Sequence, residues 1–160
     1  MATLAELPLS WRVFLRAYRW RRIDPVPRTP LRKPLADCRV ALVSSAGFVA
    51  PGQAPFDERG RGGDVSFREI PADTDVHTLV DTHRSEVFDH RGMRADPNLT
   101  FPIDRLRELA ARRRIGAVNH RHLSFMGGIT APGRLVQRTA PEAAQWLAAD
   151  GVDVALLVPV

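Results

Sequence analysis

The stretch 152-Val-Asp-Val-Ala-Leu-Leu-Val-Pro-Val-160 decides the fold class of this chain. Seven of its nine residues are apolar, and they do not alternate with polar ones. Such a run is typical of a strand that is buried on both faces, inside a parallel α/β sheet. Ligands of open sheets of this kind bind beyond the carboxyl ends of the strands. We therefore predict an interior strand at Val154–Val158, with a site near Pro159 and Val160.

The elements that precede this strand favour the same class. A second apolar run at Val40–Val43 predicts another interior strand, and a helix opens at Phe101-Pro102. A further helix is predicted between Thr139 and Gly151. Helices that alternate with apolar strands indicate an α/β fold with a largely parallel sheet and flanking helices. Because no loop follows the last strand, we expect this sheet to be incomplete at the C-terminus.

The chain divides into three segments by composition. Residues 1–23 predict an amphipathic, Arg-rich N-terminal helix, residues 24–37 a Pro-rich extended linker, and residues 38–160 the core domain. The apolar residues of the helix fall at i, i+3, i+4 and i+7: Trp11, Phe14, Leu15 and Tyr18.

Composition indicates a globular protein of one core domain. Of 160 residues, 44% are hydrophobic, and no apolar run approaches the ~20 residues that span a bilayer. The N-terminus carries no apolar segment with a cleavage site, so a signal peptide is not predicted. The single cysteine, Cys38, allows no internal disulfide and favours the reducing cytoplasm.

Positive charge is concentrated at the start of the chain. Residues 1–40 hold nine basic and three acidic side chains, whereas the net charge of the whole chain is +5. Nucleic-acid binding is not favoured, because no reader motif accompanies the charge. An alternative function is a non-enzymatic, Arg-rich binding module that engages an acidic partner through residues 11–22.

The histidines are the obvious candidates for a metal site. His120 and His122 are two residues apart and would face the same side of a strand, with His83 or His90 as a third ligand. Neither an H-E-x-x-H helix nor a C-x-x-C pair is present. We therefore predict no metal, and histidines that line a substrate pocket instead.

Nucleophilic catalysis by a serine is not predicted either. Ser44, Ser45 and Ser124 lie outside any G-x-S-x-G motif, and serines at strand ends are ordinary turn residues. Cys38 opens a buried strand, which is typical of a small core residue.

A series of short motifs resembles one known family, the selenoprotein B family of glycine, sarcosine, betaine and D-proline reductases. These motifs occur in order over roughly residues 28–160: Thr29-Pro-Leu-Arg-Lys-Pro34, Arg39-Val-Ala-Leu-Val-Ser-Ser-Ala-Gly47, Asp64-Val-Ser-Phe-Arg-Glu-Ile-Pro71, Asp96-Pro-Asn98, Phe101-Pro-Ile-Asp-Arg-Leu106, Ile115-Gly116, His122-Leu-Ser-Phe-Met-Gly127 and Gly151-Val-Asp-Val-Ala-Leu-Leu-Val-Pro159. By this resemblance, residues 38–160 are the N-terminal part of a selenoprotein B-like reductase domain.

The resemblance implies a redox subunit. In the family, a selenocysteine or a cysteine follows the strand that matches Val154–Val160 and carries out thiol or selenol chemistry. Relatives cleave a C–N bond of an amino-acid-like substrate reductively, with a pyruvoyl-containing partner subunit and a thiol reductant. No cofactor is implied in this chain, and no membrane partner. The oligomeric state, including a homo-oligomer, is left open.

The same resemblance leads us to expect a truncated and inactive chain. The catalytic selenocysteine would follow Val160, and its UGA codon can be mistaken for a stop. An uncovered last strand should leave the chain poorly soluble or dependent on a partner.

The remaining expectation concerns the substrate site. Nine residues should gather near Pro159 and Val160 and line the substrate pocket: Ser44, Ser45, Gly47, His83, His120, His122, Ser124, Met126 and Gly127.

Overall fold

The computed structural model describes residues 5, 7–19, 22–57, 62–85 and 90–160. The chain separates into two compact units, Met1–Pro30 and Leu31–Val160. Part of the helix predicted over residues 1–23 lies outside the described residues.

Among its described residues the first unit has the short α-helix α1 (Leu9–Ala17), with no buried residue. Its aromatic side chains contact one another along one face: Trp11 and Phe14 meet edge to face with ring centres 5.9 Å apart, and the tilted rings of Phe14 and Tyr18 are 5.7 Å apart. The i, i+3, i+4, i+7 pattern therefore yields a helix, as the apolar periodicity predicts.

The second unit is a mixed α/β structure around one curled sheet of mostly parallel strands. Its strands are β1 (Arg39–Ser44), β2 (Phe48–Val49), β3 (Phe67–Pro71), β4 (Val80–Asp81), β5 (Ala117–Val118), β6 (Arg121–Phe125) and β7 (Val154–Val158). Its α-helices are α2 (His90–Ala95), α3 (Ile103–Ala111) and α4 (Ala140–Ala149), and a π-helical turn at Leu135–Thr139 leads into α4.

Strand β1 lies in the interior of the sheet, as its apolar run predicts. It pairs in parallel with β5 and β6 on one side and with β7 on the other. β3 adds to β6 in the antiparallel direction. A separate antiparallel pair, β2 with β4, accounts for the remaining short strands.

Apolar side chains cover both faces of β1. Leu42 faces a core that includes Phe101, Ile103 and Leu106 of the α3 region. Ala41, on the opposite face, packs with residues of β6 and α4. Complete burial of each large apolar side chain contributes ~1.5–3 kcal/mol, so these two layers hold the sheet between its helices.

Strand β7 differs from the prediction that it is interior. Within the described residues its one strand partner is β1, and Leu156 and Leu157 are 39% and 67% exposed. The apolar run does form a parallel strand, but it occupies an edge. Periodicity alone cannot distinguish a strand that is covered on both sides from one that has a single neighbour.

Candidate functional site

The carboxyl ends of β1, β6 and β7 together form the carboxyl-terminal edge of the sheet, because these strands are parallel. Ser45, directly after β1, ties this edge to the chain beyond β7. Its backbone N–H donates to the Val158 carbonyl at 3.1 Å, and its hydroxyl oxygen accepts the Val160 N–H at 2.9 Å. Ser45 therefore fixes the path of the backbone that leaves β7.

His83 lies between two glycines at this edge. Gly47 has φ +68°, and a Cβ there would come within 3.0 Å of the His83 Cα. A Cβ on Gly127 would lie 2.5 Å from His83 Nε2. Real Cβ atoms do not come as close as the contact at Gly127. The contact at Gly47 is tight, falls on the histidine backbone and combines with a positive φ, so a side chain at either position would displace His83 or strain the turn.

Two hydrogen bonds hold His83, one at its backbone and one at its ring. The His83 N–H donates to Asp81 Oδ1 at 3.0 Å, and the Ser85 N–H donates to His83 Nδ1 at 3.2 Å. In the neutral ring the proton is therefore on Nε2. Burial lowers the pKa of His83, and the neighbouring His90 lowers it further, which favours this neutral form.

Three polar atoms converge on Gly127. The point where its Cβ would stand is 2.5 Å from His83 Nε2, 3.0 Å from the Ser45 carbonyl oxygen and 3.1 Å from the Val160 carbonyl oxygen. One imidazole nitrogen and two backbone oxygens thus pack directly against Gly127, which follows β6. These contacts hold His83, Ser45 and the chain beyond β7 together at the carboxyl ends of the strands.

An Asp81–His90 pair supports the same loop. His90 Nδ1 is 2.6 Å from Asp81 Oδ2, and its Nε2 is 2.9 Å from the Ser85 carbonyl. The hydrogen bond to Asp81 raises the pKa of His90, and Arg94 approaches the same carboxylate at 3.2 Å. Sequence reasoning missed Asp81 altogether. The Asp-x-His spacing of residues 81–83, which is typical of an Asx turn, was the available signal.

His122 is a core residue that completes the sheet. Between Val40↔Val118 and Val43↔Leu123, the β5–β6 side holds two more residues than β1. The Leu42 N–H falls in this interruption and donates to His122 Nδ1 at 3.0 Å. His122 is 0% exposed, and burial lowers its pKa to about 4, so the ring is neutral near pH 7.

Ser44, Ser124 and Met126 are buried at the same end of the sheet. The Ser44 hydroxyl donates to the Thr100 carbonyl at 2.6 Å, Ser124 is its register partner on β6, and Met126 forms a bridge with Ala46. The structure thus places seven of the nine predicted residues in the strand ends and turns at this edge, whereas His122 lies near the amino end of β6, in the core beside Leu42.

His120 lies apart from the others. It precedes β6 at the opposite end of that strand, its side chain is 64% exposed, and Nε2 is 3.8 Å from Asp150 Oδ2. Within the described ranges, no group of three His, Cys, Asp or Glu side chains is arranged to hold a metal ion.

A largely apolar cavity of about 710 Å³ adjoins this edge. It lies between one face of β7 and helix α4, with Ser44 and Ser45 at one end and Asp153 among its lining residues. Cavities of this size and composition are typical of sites that bind small molecules or apolar segments.

Comparison with known proteins identifies the family. The family model for glycine/sarcosine/betaine reductase selenoprotein B matches residues 9–159. The chain belongs to the selenoprotein B family. D-proline reductase subunit gamma of Acetoanaerobium sticklandii is 38% identical over 136 residues, which are 84% of this chain and 54% of that protein. No solved structure was found to match.

The selenoprotein B chain described here thus spans about half the length of the curated relative it matches. None of its described helices is long and apolar enough to cross a membrane. The resemblance based on the short motifs is confirmed by both comparisons.

The one cysteine of this selenoprotein B chain does not fit a redox role. Cys38 is 0% exposed at the amino end of β1, the opposite end from Ser45, and its Sγ contacts the Pro34 carbonyl at 3.3 Å. A reactive thiol needs solvent access and a polar surrounding that stabilises the thiolate. The 160 residues contain no second thiol that could pair with it.

Proposed function

We propose that this chain forms the substrate-binding wall of a selenoprotein B-type reductase subunit, at the carboxyl ends of β1, β6 and β7. The reaction is the reductive cleavage of a C–N bond in an amino-acid-like substrate, and D-proline is the first candidate because the matched relative is a D-proline reductase subunit. The observation that carries the proposal is that Ser45, His83, Gly127 and Val160 pack together at the carboxyl ends of these strands, where ligands of parallel sheets bind.

The proposed roles follow from the chemistry of these atoms. In this proposal the neutral imidazole of His83 donates a hydrogen bond to the substrate carboxylate, and backbone carbonyls at this end of the sheet accept hydrogen bonds from its amino group. Ser45 holds the backbone beyond β7 against this wall. The redox residue itself, selenocysteine in relatives, is not supplied by Cys38. A pyruvoyl-containing partner subunit and a thiol reductant belong to the same proposal.

Substrate binding by this wall can be measured directly. Titration of the ¹⁵N-labelled chain with D-proline is expected to shift the NMR signals of His83 and Gly127 in a saturable way. Glycine, sarcosine and betaine are the parallel probes, because the family model names their reductase. The absence of saturable shifts at His83 with all four compounds would contradict the proposal.

The Gly127→Ala variant tests the geometry of the same wall. Its Cβ would lie 2.5 Å from His83 Nε2, so the imidazole must move and the substrate-dependent shifts should be lost. Gly133→Ala is the matched control, because nothing lies within 4 Å of a Cβ there. Equal D-proline binding by the two variants would show that the arrangement around Gly127 is not used.

A second candidate function is the binding of an acidic partner through α1. Two observations favour it: α1 buries no residue, and the aromatic side chains of Trp11 and Phe14 are each 49% exposed on one side of it. Arg12, Arg16 and Arg19 supply positive charge on the same segment.

This candidate predicts retention on heparin at low salt, with elution as the salt concentration rises. Replacement of Arg12, Arg16 and Arg19 by Gln should abolish the retention. The same triple change at the exposed residues 112–114 is the control and should leave it intact. If the wild-type chain is not retained on heparin at about 50 mM salt, the binding-module candidate is excluded.

A further inference from the structure

The outer edge of β7 has the properties of an unfilled pairing site. Val158 turns its carbonyl toward β1, where it accepts the Ser45 N–H. Backbone groups alternate along a strand, so Ala155 and Leu157 turn their N–H and C=O groups to the outer edge. Within the described residues no strand pairs with them.

Natural edge strands are usually protected by charged residues, proline or a bulge. Val154–Val158 contains none of these, and Leu157 is 67% exposed. A five-residue apolar edge without such protection therefore indicates a surface that is covered in the working protein.

An apolar groove lies beside this edge, on the same face of the sheet as α4. The cavity of about 710 Å³ is lined from β7 by Ala155 and Leu157 and from α4 by Ala144 and Leu147. The free edge and the groove are therefore continuous through Leu157.

The handedness of parallel crossovers indicates which element fits in the groove beside β7. From β6 the chain passes through α4 to β7, moving across β1 toward the free edge. Parallel crossovers share one hand in almost all proteins. A further parallel strand beyond β7 would accordingly place its crossover helix on the face that carries α4, which is where the groove lies.

We propose that the outer edge of β7 and the adjoining groove bind a strand–helix unit: a strand parallel to β7, and a helix whose apolar side fills the groove. The occupant is the portion of a selenoprotein B-type polypeptide that has no counterpart in this chain. The match covers 54% of the D-proline reductase subunit, so nearly half of that polypeptide is available for this role. The inference depends on membership of the family and on β7, and not on the substrate wall around Gly127.

Co-expression tests this proposal. The tagged 160-residue chain is produced together with the polypeptide made of the unmatched residues of the Acetoanaerobium sticklandii subunit. We expect the two to co-purify, and the amides of Ala155 and Leu157 to exchange hydrogen at least about tenfold more slowly than in the chain alone. Amides of β1, which are already paired, should not change.

Two matched variants distinguish binding at this surface from non-specific hydrophobic association. Leu157→Lys places a charge in the groove and should reduce the recovered complex at least about tenfold. Leu99→Lys, at a leucine that is 64% exposed elsewhere in the domain, should not. Hydrogen exchange on the wild-type chain provides the readout that does not depend on either variant.

Each other outcome overturns the proposal. If the β7 amides of the chain alone exchange more slowly as its concentration rises, a second copy of the chain covers the edge. Recovery of the complex with unchanged exchange at Ala155 and Leu157 would place the contact elsewhere. Failure of the two polypeptides to co-purify would show that the edge does not take this occupant, whatever the result of the D-proline titration.

Discussion

Acidification from pH 7 to pH 4 is expected to remove about 3 kcal/mol from the free energy of unfolding through His122 alone. The unfolded chain takes up a proton at this histidine near the ordinary pKa of 6.5. In the folded protein burial holds the pKa of His122 at about 4. The stabilisation is therefore complete above pH 6.5, and it is lost progressively as the pH falls toward 4.

His122→Asn isolates this contribution. The Asn Oδ1 can accept the Leu42 N–H that His122 Nδ1 accepts at 3.0 Å, but it does not titrate. Denaturant unfolding at pH 7, 5.5 and 4 should give a shallower loss of stability in the variant than in the wild-type chain. His83, with a lowered pKa, and His90, with a raised one, act equally in both proteins and cancel in the difference.

His77→Asn is the control for this experiment, because the side chain of His77 is exposed and lies outside the groups that shift the pKa of His122. It should follow the wild-type pH dependence. If His122→Asn also follows that dependence, the buried imidazole does not control the acid stability of the sheet.

Gly116→Ala is expected to destabilise the domain by about 3 kcal/mol, which lowers the melting temperature by roughly 6–12 °C. A Cβ at Gly116 would stand 2.6 Å from the Asp37 carbonyl carbon and 2.9 Å from the Cys38 nitrogen. Both atoms belong to the backbone that leads into β1, and the Gly116 N–H already bonds the Cys38 carbonyl at 2.9 Å. The added methyl group therefore has to displace the backbone of Asp37 and Cys38, which leads into β1.

Thermal unfolding of Gly116→Ala and Gly133→Ala checks this expectation. The second variant meets no atom within 4 Å and should stay within ~0.5 kcal/mol of the wild-type chain. Equal melting temperatures for both variants would mean that residues 37–38 can move away from β5 without loss.

Sequence patterns anticipated the elements that depend on local apolar content. The run at Val40–Val43 gives an interior strand because both of its faces meet apolar layers. The equally apolar Val154–Val158 gives an edge strand, because the number of neighbours depends on residues far away in the chain. Apolar content reports what a strand can bury, and it does not report what is present to bury it.

The positions of Ser45 and Gly127 could be predicted from topology more than from residue type. Ser45 and Gly127 follow parallel strands, and such positions meet at one edge. His120 was grouped with His122 by the two-residue spacing, which applies only within a regular strand. The extra residues between β5 and β6 break that regularity, so His120 lies outside the strand while His122 enters the core. The pairing of Asp81 with His90 could not be predicted from spacing, because a loop and a helix bring the two residues together.

The packing of His83 between Gly47 and Gly127 has a consequence for how the sequence can change. A methyl group at either glycine meets the histidine, at its Cα in one case and at Nε2 in the other. A smaller side chain at position 83 would remove the clash at Nε2 but not the one at the backbone. A change at position 83 therefore relieves the closest contact at position 127 and leaves only the tight ones to the Ser45 and Val160 carbonyls. Position 47 stays constrained in either background, so the order in which substitutions arise decides which of them survive.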